Sequence, residues 1–280
     1  MGPALDLTVA REAVRLALAE DIGTGDLTTG LTVTRDARTS ARLIAKADGV
    51  IAGLAVAELA FGELDPAVRW QARVRDGQSV HTGDLLVQID GLAHAILSAE
   101  RTALNFLQRM SGIATATHEL VKLVAGKATI LDTRKTVPGL RALDKYAVGV
   151  GGARNHRFGL FDGILIKENH IRAAGGIVEA VAACRQGVPL LTKIEVEVTN
   201  FDELRQALDA GADVILLDNM SPAQMREAAG IAAGRAQLEA SGGITRENLL
   251  DAASSGVDFI SSGALTHSVK ALDISLLVDL

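Results

Sequence analysis

The stretch KIEVEVTNFDELRQALDAGADVILLDN, residues 193–219, decides the fold class. Its two β-branched apolar runs predict strands over 190–198 and 214–217. Between them, apolar residues at three- and four-residue spacing predict a helix over 201–210, with Asn200 as its N-cap. A strand, a helix and a second strand in this order are typical of parallel βα units.

The same alternation extends outward from this stretch and begins at about residue 127. It predicts six strands, over 129–132, 163–166, 190–198, 214–217, 237–240 and 257–260. It also predicts helices over 176–186, 201–210, 222–233 and 246–255, and the last two follow the candidate N-caps Ser221 and Thr245. Six βα units favour a TIM-like barrel.

The first hundred residues have a different pattern. They predict strands over 41–46, 69–74 and 84–89 with a turn at Asp76 and Gly77, as in a small α+β domain. Residues 100–112, ERTALNFLQRMSG, carry apolar residues on one side and polar residues on the other. This segment predicts an amphipathic helix that joins the two domains.

Composition narrows the class of protein. The 280 residues are 48% hydrophobic, which is enough for a large core. The longest apolar stretch, residues 49–62, is interrupted by Glu58 and is too short to span a bilayer, and the first 18 residues are too charged for a signal peptide. We therefore expect a cytoplasmic protein that does not bind membranes.

The cysteine count and the charge exclude further classes. Cys184 is the only cysteine, so neither an intrachain disulfide nor a cysteine zinc site can form, and its apolar neighbours predict a buried helical thiol. A net charge of −6 argues against a nucleic-acid partner.

Residues 133–171 nevertheless carry a local excess of positive charge. Seven cationic residues stand here against Asp144, Asp162 and Glu168; they are Arg134, Lys135, Arg141, Lys145, Arg154, Arg157 and Lys167. The pattern predicts a site for a small anionic ligand, with His156, Arg157 and Lys167 among its donors. We expect Arg141, Lys145 and Arg172 on a solvated helix face instead.

Polar or glycine-rich residues follow each predicted barrel strand, where a barrel builds its active site. These are Asp132 to Lys135, Lys167 to His170, Glu195 and Glu197, Asp218 and Asn219, Ser241 to Gly243, and Ser261 to Gly263. The last two groups predict a phosphate site, because glycines let backbone N–H groups approach the phosphate oxygens.

Two carboxylates in this set, Glu197 and Asp218, allow more than one chemistry. They are suited to holding Mg²⁺ and equally to stabilising an oxocarbenium-like ribosyl centre. An internal ion pair with Lys193 or Lys135 is a structural alternative. Glu195 lies two residues before Glu197, so its side chain points the same way from the strand.

Eight ordered segments resemble the quinolinate phosphoribosyltransferase family over nearly the whole chain. They are EDIGTGDLTT at 20–29, AERTALNFLQRMSGIAT at 99–115, DTRKTVPGLRALDKYAV at 132–148, GGARNHRFGLFDGILIKENHI at 151–171, IEVEV at 194–198, ILLDNM at 215–220, EASGGIT at 239–245 and SSGALTHS at 261–268. Val137, Glu168 and Ser262 depart from the family's usual pattern, and of these Ser262 bears on the phosphate loop.

The resemblance implies a role for each site residue. Arg101, Arg134, His156, Arg157 and Lys167 would surround the pyridine dicarboxylate quinolinate. The catalytic set would be Lys135, Glu197 and Asp218, facing phosphoribosyl pyrophosphate, with Ser241, Gly242, Gly243 and Gly263 around its 5′-phosphate. Mg²⁺ would be held mainly through the substrate pyrophosphate, with Glu197 and Asp218 as further candidate ligands.

The resemblance also implies an architecture. The expected fold is α/β, with an N-terminal α/β sandwich over 1–112, an incomplete, seven-stranded barrel over 113–268, and a C-terminal segment, 269–280, that returns to the first domain. The family is built as a homodimer, in which Arg101 would reach the partner's active site, and a higher oligomer is compatible with this. The implied products are nicotinate mononucleotide, pyrophosphate and CO₂.

Two other functions compete with this interpretation. A barrel aldolase or isomerase would use Lys135 or Lys167 as a Schiff-base amine. A non-catalytic relative would bind an oxyanion or a nucleotide. The full set of cations together with Glu197 and Asp218 favours the transferase.

Overall fold

The computed structural model describes residues 4–279, which fold into two compact units. The first unit contains residues up to 118 together with 136–152 and 265–280, and the second contains 119–135 and 153–264. The segment 136–152 therefore belongs to the first unit, although the sequence boundaries assign it to the barrel. Within residues 4–279, no helix is both long enough and apolar enough to span a bilayer.

The first unit is an antiparallel α/β unit. Its strands are β1 (Arg38–Ala45), β2 (Gly49–Val50), β3 (Arg69–Ala72), β4 (Ser79–Val80), β5 (Leu85–Leu92) and, from the end of the chain, β12 (Ile274–Asp279). Its helices are α1 (Leu7–Ile22), α2 (Leu27–Thr32), α3 (Leu54–Leu64), the long α4 (Ala93–Val124), whose last residues belong to the second unit, and α5 (Arg141–Val150). The main sheet has the order β12-β1-β5-β3, and β2 pairs with β4.

Asp26 organises the GTGDLTT segment, residues 23–29, through local hydrogen bonds. Its carboxylate caps α2 by accepting the Thr29 backbone N–H at 3.0 Å and the Thr29 hydroxyl at 2.6 Å. It also accepts the Ser98 hydroxyl of α4 at 2.9 Å. These hydrogen bonds, first those from Thr29, lower the pKa of Asp26.

A buried ion pair anchors α5 within the first unit. The Asp144 carboxylate is fully buried and accepts two hydrogen bonds from Arg109 of α4, at 3.0 and 2.9 Å. It also accepts the Val137 backbone N–H at 3.2 Å. The neighbouring Lys145 is only 3% exposed, so the prediction that it lies on a solvated face is wrong. Arg172 does lie exposed, in an ion pair with Glu168.

The second unit is a parallel sheet flanked by helices. Its strands are β6 (Thr129–Leu131), β7 (Ile164–Ile166), β8 (Ile194–Val198), β9 (Val214–Asp218), β10 (Gln237–Ser241) and β11 (Phe259–Ser261). Its helices are α6 (Glu168–Ala174), α7 (Ile177–Gly187), α8 (Phe201–Asp209), α9 (Pro222–Ala232) and α10 (Leu249–Ala253), and α11 (Ala264–His267) follows. The α/β fold class predicted from the sequence is confirmed.

The strands follow one another in the cyclic order of a barrel. The sheet order is β6-β11-β10-β9-β8-β7, so each strand neighbours the next one in the chain except that β6 and β7 do not pair. The resemblance implied seven strands, whereas the described residues contain six in this sheet. An isolated parallel bridge between Leu131 and Arg154 extends the sheet beyond β6.

Two strands are preceded by the same short sequence motif, Gly-x-Asp. In Gly211-Ala-Asp213 and Gly256-Val-Asp258, a glycine with positive φ leads to an aspartate just before a strand. The Asp213 carboxylate accepts the Ile194 N–H of the preceding strand at 2.7 Å, and Asp258 likewise accepts the Leu238 N–H at 2.8 Å. Each aspartate thereby joins the starts of adjacent parallel strands.

Several predicted boundaries differ from the structure for identifiable reasons. The strand over 190–198 begins only at Ile194, because Pro189 starts a turn closed by the Thr192 N–H. The helix over 100–112 is an internal part of α4. Thr245 is not an N-cap: its N–H donates to the Asn248 side chain at 2.8 Å, and α10 begins after Asn248.

The remaining differences are small. The strand over 69–74 ends at Ala72, and the other predicted elements differ from the observed ones by a few residues at their ends. Cys184 lies in α7 as predicted, but its side chain is half-buried rather than buried.

Candidate active site

A cavity of about 600 Å³ lies at the carboxyl ends of the parallel strands of the second unit. Ten of the predicted site residues line it: Arg134, Lys135, His156, Arg157, Lys167, Glu197, Asp218, Ser241, Gly242 and Gly243. Thr133, Asn219, Glu239 and Ser261 also line it. Because each parallel strand contributes its carboxyl end, residues far apart in sequence meet at one opening.

Two arginines make part of the cavity wall strongly positive. Arg157 is partly buried, and its guanidinium donates to the Gly163 carbonyl at 3.0 Å. Burial, followed by repulsion from the nearby Arg134, lowers the pKa of Arg157. Two like charges held together in this way favour a bound anion between or beside them.

Lys167 and Glu197 form an ion pair across the ends of β7 and β8. Lys167 is the residue directly after β7, and its backbone N–H donates to Nδ1 of His170 at 2.9 Å. The His170 ring thus caps the short helix α6, and the Lys167 side chain extends to Glu197. The partner of Glu197 is thus Lys167. Of the two lysines considered as structural alternatives, Lys193 donates to Gln237 instead.

Asp218 and Gly242 are linked through Asn219. Asn219 has a left-handed backbone, with φ of 55°, and its side-chain amide donates to the Asp218 carboxylate at 2.9 Å. Its side-chain oxygen occupies the space that a Cβ at position 242 would need. Gly242 also has a φ of 76°, so both the packing and the backbone require glycine there.

Further hydrogen bonds order the loops after β10 and β11. The Ser261 hydroxyl donates to the Ser241 hydroxyl at 3.0 Å and joins the ends of these two strands. The Asn248 side chain donates to the Gly243 carbonyl at 2.9 Å. The glycine loop therefore has a defined conformation at the cavity rim.

Asp132 orients the segment that carries His156. The Asp132 side chain is completely buried at the end of β6. It accepts the His156 backbone N–H at 2.8 Å and the Asn155 side-chain amide at 2.7 Å. The strand end thus holds the NHR segment, residues 155–157, against the cavity.

Glu239 is the site residue that the sequence analysis missed. It is 2% exposed and lies near His156 and Glu195, which is 6% exposed. Burial, and then the neighbouring Glu195, raise the pKa of Glu239 to about 8. Its position in the sequence could have identified it. Glu239 lies two residues before Ser241 on a buried strand, as Glu195 lies two residues before Glu197, so each pair points to the same side of its strand.

Two predicted site residues do not line this cavity. Arg101 belongs to the first unit, where its side chain is exposed on α4. Gly263 follows β11 in the second unit. Their roles remain predictions from the family resemblance.

The fold and the cavity define an α/β enzyme class in which cations, carboxylates and a glycine loop converge at the carboxyl ends of parallel strands. Comparisons with known proteins narrow this class. The family models for the quinolinate phosphoribosyl transferase N-terminal and C-terminal domains match residues 26–111 and 113–277. The chain belongs to the quinolinate phosphoribosyltransferase family.

Individual relatives agree with this assignment. The chain is 48% identical, over 93% of its length and 90% of the relative's, to the probable nicotinate-nucleotide pyrophosphorylase (carboxylating) of Bacillus subtilis. It is 46% identical to the chloroplastic nicotinate-nucleotide pyrophosphorylase (carboxylating) of Arabidopsis thaliana, with 99% and 84% covered. The solved structure of the nicotinate-nucleotide pyrophosphorylase from Francisella tularensis superposes with a TM-score of 0.94 at 45% identity, covering 99% and 98% of the two chains.

Proposed function

We propose that this enzyme transfers the phosphoribosyl group of phosphoribosyl pyrophosphate to quinolinate and releases pyrophosphate and CO₂. The product is nicotinate mononucleotide, an intermediate of NAD biosynthesis. One observation carries this proposal: a single cavity gathers four cations, Arg134, Lys135, Arg157 and Lys167, around the two carboxylates Glu197 and Asp218.

The four cations are suited to substrates with several negative charges. Quinolinate carries two adjacent carboxylates, and Arg134 and Arg157 offer planar pairs of donors for them, with Lys167 as a compact charge. Lys135 follows β6 on the same side and is suited to holding the departing pyrophosphate or a carboxylate of the attacking quinolinate. The glycine loop, Ser241 to Gly243, offers backbone N–H groups to the 5′-phosphate, and we assign Gly263 to the same subsite.

Glu197 and Asp218 supply the negative charge that the first bond cleavage requires. The bond between C1 of the ribose and the pyrophosphate oxygen breaks, and its electron pair leaves with the pyrophosphate. Positive charge then develops on the ribose, where carboxylates fixed in a partly buried cavity stabilise it. The ring nitrogen of quinolinate attacks C1 and becomes a pyridinium.

The pyridinium makes decarboxylation feasible without an electron-sink cofactor. The bond between the ring and the adjacent carboxylate breaks, CO₂ leaves, and the electron pair stays on the ring carbon next to the positive nitrogen. A proton then replaces the lost group. The partial burial of the cavity limits the access of water, which would otherwise hydrolyse the ribosyl centre.

Mg²⁺ fits the donors of this cavity. Asp218 presents a carboxylate that accepts a hydrogen bond from the neutral side-chain amide of Asn219. Carboxylate oxygens together with substrate phosphates are the usual ligands of Mg²⁺. We assign the ion to the pyrophosphate and Asp218; Glu197 is the weaker candidate because its carboxylate already contacts Lys167. When bound, Mg²⁺ would neutralise charge on the leaving pyrophosphate.

The assembly proposed with this function is a homodimer with shared sites. Arg101 is exposed on α4, and the family resemblance assigns it to the quinolinate site of the partner subunit. A cytoplasmic location is retained as a prediction.

The competing Schiff-base chemistry has less support. A Schiff-base lysine needs a neutral amine. Lys167 is instead held in an ion pair with Glu197. Borohydride trapping with a carbonyl substrate tests the remaining candidate, Lys135.

One assay tests the proposed reaction. The purified enzyme is incubated with quinolinate, phosphoribosyl pyrophosphate and Mg²⁺, and CO₂ and nicotinate mononucleotide are measured. Equal amounts of the two products are expected, and both are lost when Glu197 is replaced by Ala. Product formation without CO₂ release, or no reaction under any divalent cation, would contradict the proposal.

A further inference from the structure

Against the wall of the cavity lies a buried cluster whose two carboxylates the proposed chemistry does not use. It consists of His156, Glu195 on β8 and Glu239 on β10, and the nearest ring nitrogen and one oxygen from each carboxylate all lie within 4.8 Å of one another. Both carboxylates are more than nine-tenths buried. Among residues 4–279, neither Oε1 of Glu195 nor Oε1 of Glu239 has a hydrogen-bond partner.

The hydrogen bonds of His156 define its tautomer. Nδ1 accepts the backbone N–H of Arg157 at 2.7 Å, so Nδ1 carries no proton. Nε2 therefore carries the ring proton and donates it to Oε2 of Glu195 at 2.9 Å. Oε2 of Glu239 lies 3.6 Å from the same nitrogen, which is too long for a second strong hydrogen bond.

This arrangement leaves two buried carboxylates beside one neutral histidine. Two adjacent buried carboxylates do not both ionise without a cation, because their repulsion adds to the loss of hydration. The charge of Glu195 raises the pKa of Glu239, whereas His156 would lower it only in its charged form, and the Ser261 hydroxyl of β11 also lowers it through a hydrogen bond. The charge of Glu195 also acts on Arg157 at the cavity wall, whose pKa it raises against the larger lowering by burial.

We propose that Glu239 is protonated beside Glu195, and that the two side chains together hold His156 as a neutral ring, protonated at Nε2, whose Nδ1 fixes the backbone of Arg157 at the cavity wall. Glu195 and Glu239 are positioning residues, because they act on the ligand through His156 and Arg157. The proton on Glu239 also removes one negative charge beside a cavity built for anions.

The raised pKa of Glu239, about 8, supports this assignment and gives it a pH dependence with a defined sign. An ordinary glutamate, with a pKa of 4.5, ionises in the unfolded chain well before Glu239 ionises in the folded one. Between these two values the folded state binds more protons, so Glu239 makes the protein less stable as the pH rises. Above about pH 8 Glu239 is ionised in both the folded and the unfolded state, so its effect on the free energy of unfolding no longer changes with pH.

Infrared spectroscopy tests the proton on Glu239 without reference to activity. At pH 7 we expect the wild type to show the carbonyl band of a buried carboxylic acid, which Glu239→Gln removes and which the exposed control Glu227→Gln retains. In Glu195→Gln the acid band should titrate at lower pH, because the neighbouring charge is gone. A wild type with no acid band, or a band that persists in Glu239→Gln, overturns the proposal.

Thermal unfolding gives a second measurement of the same proton. The melting temperature of Glu239→Gln relative to the wild type should rise between pH 5 and pH 8, whereas that of Glu227→Gln should not change with pH. A constant difference for Glu239→Gln contradicts a protonated Glu239. A divalent metal that is bound stoichiometrically, survives dialysis and is lost in Glu239→Gln would also contradict the proposal, since the cluster would then be a metal centre.

A third measurement, of the KM for quinolinate, rests on the proposed function, whereas the infrared and thermal measurements do not. The wild-type KM for quinolinate should rise on the order of fivefold to tenfold relative to Glu239→Gln as the pH passes 8, with little change in the ratio of kcat values. A parallel rise in both enzymes overturns the proposed link to ligand affinity. Absence of any activity with quinolinate would refute the proposed function instead, and the infrared and thermal results would still decide the state of the cluster.

Discussion

At the scale of single residues, the basic segment 133–171 serves two different purposes. Arg134, Lys135, Arg157 and Lys167 line the cavity of the second unit. Lys145 is buried in the first unit, where the adjacent Asp144 anchors α5 through Arg109. The positively charged segment therefore contributes residues both to a ligand site and to a buried part of the first unit.

Replacing Lys135 by Ala should lower kcat by about two powers of ten or more, because a fixed positive charge next to a developing anion is removed. The melting temperature should stay unchanged, since Lys135 is exposed. Steady-state kinetics and thermal unfolding check the two parts. Lys122 is the matched control: it is an exposed lysine on α4, and Lys122→Ala should leave kcat unchanged. An equal loss in both variants would contradict the assignment of Lys135.

Discrimination between quinolinate and nicotinic acid is a second expectation at this scale. Nicotinic acid lacks one carboxylate and would leave Arg134 or Arg157 without an anion in a partly buried site, which costs more than in water. We expect its kcat/KM to be lower by roughly two powers of ten or more. Direct comparison of the two acids measures this, and similar values would contradict two-carboxylate recognition.

At the scale of elements, helix caps and strand starts account for which boundaries can be predicted. Asn200 and Ser221 cap α8 and α9 as the sequence indicates, and both helices begin at the predicted residue. Thr245 is also a residue suited to capping, but α10 begins only after Asn248, which stands at the N-cap position and accepts the Thr245 N–H. A cap is predictable where one candidate stands alone and not where two lie three residues apart.

The Gly-x-Asp motif supports a prediction about the stability of the parallel sheet. Asp213→Ala removes the acceptor of the Ile194 N–H and the ion pair with Arg185. An unpaired, partly buried N–H costs about 1–3 kcal/mol, so we expect the free energy of unfolding to fall by about 2 kcal/mol. Denaturant unfolding measures it, with the exposed Asp251→Ala as control. A loss no greater than in the control would show that the sheet does not depend on this contact.

At the scale of the whole molecule, strand periodicity predicts the order of the second unit but not the partners of its buried polar groups. The six strands were each predicted from apolar runs, and their polar ends converge on one cavity as parallel strands require. The contact between Glu239 and Glu195 joins strands that are not sequential, β10 and β8. Such a pair depends on how the sheet curves, which the spacing of residues along one strand does not specify.

The assembly is the remaining property at this scale. Arg101 lies on the exposed side of α4 in the first unit, and Glu197 lies in the cavity of the second. In a dimer with two-fold symmetry, each contact between subunits occurs twice. If Arg101 completes the partner's cavity, each active site combines Arg101 of one chain with Glu197 of the other.

Subunit exchange between two inactive variants tests this arrangement. Arg101→Ala and Glu197→Ala should each be nearly inactive alone. In a mixed dimer one site receives both substitutions and the other receives neither, so the second site is intact. Random exchange of equal amounts makes about half of the dimers mixed, and one intact site in each restores roughly a quarter of wild-type activity. Exchange is verified by native mass spectrometry, and a mixture that remains inactive after verified exchange would mean that Arg101 acts within its own chain.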